Sequence, residues 1–180
     1  MTDQVNTRAL ALEFLLEVEK GALSHVALRG MLERYQYLDK QERAFLTRLC
    51  EGTLERRLEL DAIINHFSKV PVKKQKPVIR NLLRMSVYQL KYMDQVPDSA
   101  VCNEAVRLAQ KKGFGTLKGF VNGVLRSIAR GIEEISFDDL SICYSTPQWI
   151  VDQWVEEYGK DKAVRMLADQ YTEKPVTIRI

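Results

Sequence analysis

The chain has 180 residues, of which 46% are hydrophobic and 28% charged, with a formal net charge of +3. That composition supports one or two soluble domains with a buried core. No apolar run reaches the roughly 18–20 residues needed to cross a bilayer, and the opening MTDQVNTRAL lacks the basic and apolar segments of an export signal, so the expected setting is cytoplasmic.

In chain order, Ala9, Leu12, Leu15, Leu16 and Glu19 recur with helical period and end near Gly21, which predicts a first helix. Ser24 is positioned to cap a second, carrying Val26, Leu28, Met31 and Leu32. Asp39 is positioned to cap a third, longer helix running through Leu46, Leu49, Leu60, Ile63, Ile64 and Phe67. Gly52 lies inside it, where glycine costs about 1 kcal/mol relative to alanine, so a close helix neighbour is expected there. SKVPVKKQKPVIR breaks the pattern, and Pro77 suits the first turn of a fourth helix with Ile79, Leu82, Leu83, Val87 and Leu90. After DQVPDSA, Asp98 or Ser99 is expected to cap a fifth helix through Leu108, closed by KKGFG. A sixth carries Leu117, Phe120, Val121, Val124, Leu125 and Ile128 and closes at Gly131.

The expected fold class is therefore all-α, a six-helix bundle over residues 1–131. Residues 132–146 read as a linker with at most one short helical turn. In residues 147–180, Thr146 is expected to cap a helix starting at Pro147 with Trp149, Ile150, Trp154 and Val155, broken at Gly159. A second helix spans Asp161 to Tyr171. KPVTIRI then alternates Val176, Ile178 and Ile180 with polar residues and reads as a lone strand, the start of an incomplete α/β subdomain. No internal repeat or low-complexity tract is present.

Charge is unevenly distributed. Between Asp61 and Asp94 there is no acid, while Lys69, Lys73, Lys74, Lys76, Arg80, Arg84 and Lys91 all fall there. Lys111, Lys112, Lys118, Arg126 and Arg130 follow, and the chain turns acidic from Glu133. Lys76, Arg80 and Arg84 recur every four residues, as do Lys118, Arg126 and Arg130 with Asn122 in the gap. Helical rise places such rows about 5–6 Å apart per step, near phosphate spacing, so one face is expected to meet a polyanion. Both rows are expected to be solvent-exposed, opposite the apolar stripes. Arginine can also fork onto phosphate or stack on unpaired bases. Tyr88 and Tyr92 lie near the first row but serve a core equally well. Arg8 is a further candidate at the N-terminus.

Other chemistry is thin. Cys50, Cys102 and Cys143 are odd in number and form neither a CxxC pair nor a disulfide framework, so each reads as a small apolar residue in a reducing compartment. His25 and His66 lack ligand spacing, so no metal site is expected. GFGTLKG follows a helix rather than a strand and reads as a helix-ending turn, not a phosphate loop. Asn103 and Glu104 are explained as helix-start residues near the positive dipole end. No catalytic and no cofactor-binding residue is assigned.

Several segments carry a resemblance. NTRALALEFLLEVEKGALSHVAL resembles the opening of the NusB-type RNA-binding domain, and ERAFLTRLCEGTLERRLELD resembles its third helix. LLRMSVYQLKYMDQVPDSAVCNEAVRLAQ contains the YQL, VP and NEAV features of that family, and GFVNGVLRSIAR its last helix. The resemblance covers roughly residues 5 to 131. One departure is Glu55, where many members have arginine; here the arginines are Arg56 and Arg57.

The tail beginning YSTPQWIVDQW resembles the bridge in bacterial 16S rRNA 5-methylcytosine methyltransferases, between the NusB-like domain and the catalytic part. That resemblance implies an RNA-binding accessory domain, truncated before a missing methyltransferase domain that uses S-adenosylmethionine and the family's Pro-Cys and Thr-Cys motifs. Neither dipeptide occurs here. The implied partners are 16S rRNA and the missing domain of the same chain. A free-standing NusB-like antitermination factor, binding leader RNA and a ribosomal protein, is the alternative, and a purely protein-binding helical module is a third reading.

Overall fold

In the computed structural model, which describes residues 5–172, the chain is helical and no strand occurs among the described residues. The lone strand expected over 176–180 lies outside them. The chain divides into two compact units, Met1–Ile135 and Ser136–Ile180.

The first unit contains α1 (Thr7–Glu19), α2 (Ser24–Arg34), α3 (Lys40–Glu55), α4 (Arg57–Phe67), α5 (Pro77–Tyr92), α6 (Asp98–Lys111) and α7 (Lys118–Gly131). Local chemistry explains several starts. The Asn6 side chain accepts from Ala9 N at 3.1 Å. Asp39 and Glu42 form a reciprocal capping box, with bonds of 2.8 and 3.2 Å. Pro77 occupies the first turn of α5, where its missing N–H costs nothing. Two expected caps do not act as such. Ser24 and Asp98 are the first helical residues after Leu23 and Pro97, Ser99, the alternative to Asp98, lies further inside α6, and neither helix start has a side chain accepting a capping bond.

The long third helix expected from Asp39 to Phe67 divides at Arg56, so the described residues of the first unit form seven α-helices rather than six. The apolar period runs through the break, from Leu49 and Cys50 to Leu60 and Ile63, and so conceals it. Arg56 itself is held from the tertiary side. Its guanidinium lies 5.0 Å from the Tyr92 ring centroid and 3.7 Å from the buried carboxylate of Glu59.

Helix α5 is the centre of this unit, packed against α1, α3, α4, α6 and α7. Ile79, Leu82, Leu83, Met85 and Val87 are all buried, each worth about 1.5–3 kcal/mol of burial. Polar residues buried on the same helix are satisfied locally: Ser86 Oγ donates to Leu82 O at 2.7 Å and Gln89 Nε2 to Met85 O at 2.9 Å. Gly52 of α3 faces the Tyr88 ring, and a Cβ at that position would fall on the ring itself. The close neighbour expected there is α5.

The second unit contains α8 (Leu140–Cys143), α9 (Gln148–Tyr158) and α10 (Lys160–Asp169). Thus part of the expected linker, from residue 136 onward, packs with the tail helices, while Ile132–Glu134 form a 3-10 turn in the first unit. Thr146 does not cap α9. Pro147 precedes the helix, and the Thr146 hydroxyl donates instead to Tyr144 O at 2.9 Å. Gly159, with φ of +81°, makes the turn between α9 and α10 in a region that other residues rarely adopt. Val151, Ala163 and Leu167 are buried here, whereas Trp149 is 67% exposed.

Candidate nucleic-acid interface

The two four-residue rows of basic side chains have different fates. On α5, Lys76 is exposed at the N-cap, but Arg80 and Arg84 turn inward. Arg80 Nε donates to Glu19 Oε1 at 2.6 Å. Arg84 forks onto Asp61, Nε to Oδ1 at 2.6 Å and Nη2 to Oδ2 at 2.7 Å, and its side chain is only 11% exposed. Asn81 adds a 2.7 Å bond to the other Glu19 oxygen. These residues tie α5 to α1 and α4. The expectation that the α5 row is a solvent-facing ladder is corrected for Arg80 and Arg84. A sequence period reports which residues share a helix face, but not whether acids on neighbouring helices cover that face.

The α7 row is open. Lys118, Arg126 and Arg130 are all exposed. Arg126 Nε donates to Asn122 Oδ1 at 3.2 Å, and Arg130 Nε to Arg126 O at 3.1 Å, so the row is aligned along its own helix rather than neutralised by acids. From Lys118 to Arg130 the helix rises about 18 Å. Beside this row lies α6, and between the two helices runs a groove of about 460 Å3 lined by Asn103, Arg107, Lys118, Asn122 and Arg126.

Arg107 was not singled out from sequence. It is 76% exposed and paired by Nη1 with Glu104 at 2.9 Å. The signal was present: Asn103, Arg107 and Lys111 recur every four residues on α6, as the basic residues do on α7. Asn103 and Glu104 are not cap residues. Both lie beyond the first turn of α6, and Glu104 accepts from Asn6 Nδ2 at 3.1 Å as well as from Arg107.

A second group of cations is the segment joining α4 to α5, where Lys69, Lys73, Lys74 and Lys76 are all exposed. Asn65 Oδ1 accepts from Val72 N at 2.8 Å and Gln75 Nε2 donates to Val70 O at 2.9 Å, which shapes this segment. Gly131 abuts the Phe67 ring, so the end of the α7 row lies where this lysine-rich segment begins. The two basic groups therefore adjoin.

Arg8 is half-buried. Its Nε donates to Gln89 Oε1 at 2.7 Å and its guanidinium lies 5.0 Å from the Phe45 ring centroid. Burial lowers its pKa, with Glu104 acting in the opposite direction. Tyr92 donates to Glu59 Oε2 at 2.5 Å, and Tyr88 is buried, so both tyrosines serve the interior. Glu59 also receives Lys91 Nζ at 2.8 Å.

Nothing among the described residues resembles a reacting centre. Burial, with Glu51 adding to it, pushes the Cys50 thiol up, away from the thiolate that a nucleophile requires. Burial raises Cys102 as well, against a lowering by Arg126. Among the described residues no group of His, Cys, Asp and Glu is arranged to hold a metal, and no helix is long and apolar enough to cross a membrane.

Comparison with known proteins fits this geometry. Residues 5–130 match the NusB family. The chain is 35% identical to a probable ribosomal RNA small subunit methyltransferase B of Bacillus subtilis (strain 168), over 98% of this chain and 41% of that protein. It is 32% identical to the transcription antitermination protein NusB of Acidothermus cellulolyticus, over 71% of this chain and 88% of that protein. A crystal structure of antitermination factors NusB and NusE in complex with dsRNA superposes with a TM-score of 0.63 at 23% identity, covering 69% of this chain and 94% of that one. The chain thus spans about two fifths of the length of the methyltransferase relative.

Proposed function

Because the chain belongs to the NusB family, we propose that it is the RNA-binding part of a small-subunit rRNA methyltransferase, holding 16S rRNA for a catalytic domain that methylates cytosine at carbon five. The observation that carries this reading is the α6–α7 face. There, exposed cations on two packed helices border one groove. Such a surface binds a polyanion by displacing its counterions, and arginine adds forked contacts that lysine does not make.

The second unit favours the methyltransferase reading over a free-standing antitermination factor. The NusB relative matches 71% of the chain, whereas the methyltransferase relative matches 98% and so includes α8 to α10. In this reading S-adenosylmethionine supplies the methyl group in the catalytic domain. The described residues do not fit that cofactor. Gly113, with φ of +84°, ends α6, and Gly115–Leu117 form a 3-10 turn leading into α7, so these glycines join two helices rather than open from a strand. The chain's role is to bind and orient RNA, and no step of methyl transfer is assigned to its residues.

The test is binding of the chain to fragments of 16S rRNA at a series of salt concentrations. A log affinity that falls linearly with log salt, with a slope corresponding to several phosphate contacts, supports the proposal. Absence of binding at low salt overturns it.

A further inference from the structure

Two asparagines line the α6–α7 groove. Asn103 is exposed on α6, past the helix start, and its side-chain amide has no hydrogen-bond partner among the described residues. Asn122 is half-buried on α7, and its Oδ1 is taken by Arg126 Nε at 3.2 Å. Asparagine is a poor residue for a helix interior, because its amide competes for backbone groups and favours caps and turns. Neither residue is a cap here; Asn122 is held by its i,i+4 bond from Arg126, and nothing local accounts for the Asn103 amide.

Both amides line the same groove as Arg107, Lys118 and Arg126. The volume of about 460 Å3 is that of a small-ligand site. Val106 supplies an apolar wall. The free carboxamide of Asn103 offers one donor beside one acceptor. That pattern complements the exocyclic amine and ring nitrogen N7 of adenine, the pairing by which asparagine reads that base. Arg126 orients Asn122 so that its NH2 remains available as a second donor. Cations along the same walls suit the phosphates on either side of one unpaired nucleotide.

We infer that the α6–α7 groove is a subsite for a single unpaired adenine nucleotide, with Asn103 and Asn122 reading the base and Arg107, Lys118 and Arg126 holding its flanking phosphates. The inference rests on the RNA-binding reading above.

The experiment uses the full chain and three nine-residue oligouridylates that differ only in a central adenine, cytosine or uracil. A bidentate amide–base pair predicts at least about fivefold tighter binding of the adenine-containing RNA. Asn103→Leu, with a thermal melt matching wild type, should reduce that preference to within about twofold while leaving the salt slope unchanged; the same-sized Asn103→Asp, likewise folded, should also lose the preference, its added charge weakening all three RNAs together. Arg107→Glu should weaken all three RNAs together and flatten the slope. Equal binding of the three RNAs by the wild-type chain overturns the subsite and leaves the RNA-binding reading standing. So does a preference that survives in both folded Asn103 variants. Failure of the wild-type chain to bind any of them, or 16S rRNA fragments, overturns both.

Discussion

Arg84 on α5 donates from Nε and Nη2 to the two carboxylate oxygens of Asp61 on α4, at 2.6 and 2.7 Å. A third nitrogen, Nη1, lies 3.8 Å from Glu19 of α1. Three helices therefore meet around one guanidinium that water barely reaches. Removing the cation leaves two acids facing each other across a packed junction. Replacing Arg84 with glutamate should destabilise the first unit by about 2–4 kcal/mol, toward the range for breaking a buried pair. Asp61→Asn should cost less, because the amide still accepts one bond. Urea titration of each variant checks this, and an Arg84→Glu midpoint equal to wild type would show that the fork contributes nothing.

Gly52 and Gly123 make opposite predictions for the same substitution. At Gly123, inside α7, an added Cβ meets nothing within 4 Å, so Gly123→Ala should stabilise by about 0.5–1 kcal/mol through helix propensity alone. At Gly52 the Cβ collides with Tyr88, whose ring is buried between α3 and α5. Gly52→Ala should therefore destabilise by about 1–3 kcal/mol despite the same propensity gain. Thermal denaturation of the two variants side by side reads the sign of each.

Charge reversal on the open groove should affect binding without affecting the fold. The triple variant Arg107→Glu, Lys118→Glu and Arg126→Glu changes exposed side chains, each expected to alter stability by about 0.5 kcal/mol or less. Each lost phosphate contact should lower the steepness of log affinity against log salt by about 0.7–0.9. Filter binding to a 16S rRNA fragment at several salt concentrations measures it, and an unchanged slope would separate this face from RNA.

Thiol labelling tests the interior. Cys50 and Cys102 are buried, and burial raises both thiols above their ordinary value. Raised thiols are still protonated at mildly alkaline pH and react slowly. In native protein at about pH 8, a water-soluble disulfide reagent should leave both unmodified over minutes, and denaturant should release them. Rapid native labelling of Cys50 would mean that α3 opens from α5 far more readily than its packing indicates.

The helical class, the order of the elements and most of their boundaries follow from the sequence, because apolar period, Pro77 at a helix start and the Asp39–Glu42 capping box are local signals. The family motifs were legible for the same reason. The break at Arg56 was not, since the apolar period crosses it and the Tyr92 ring that Arg56 packs on comes from α5. The functional face divides along the same line. Lys76, Arg80 and Arg84 keep one helix face in sequence just as Lys118, Arg126 and Arg130 do, the second row with Asn122 in its gap. Only the packing of α1 and α4 on α5 brings Glu19 and Asp61 against the first row, while the second remains open beside Arg107. A helix period determines which charges share a face. Whether that face is available to a ligand depends on what distant segments place on it, and that information enters only when the helices pack.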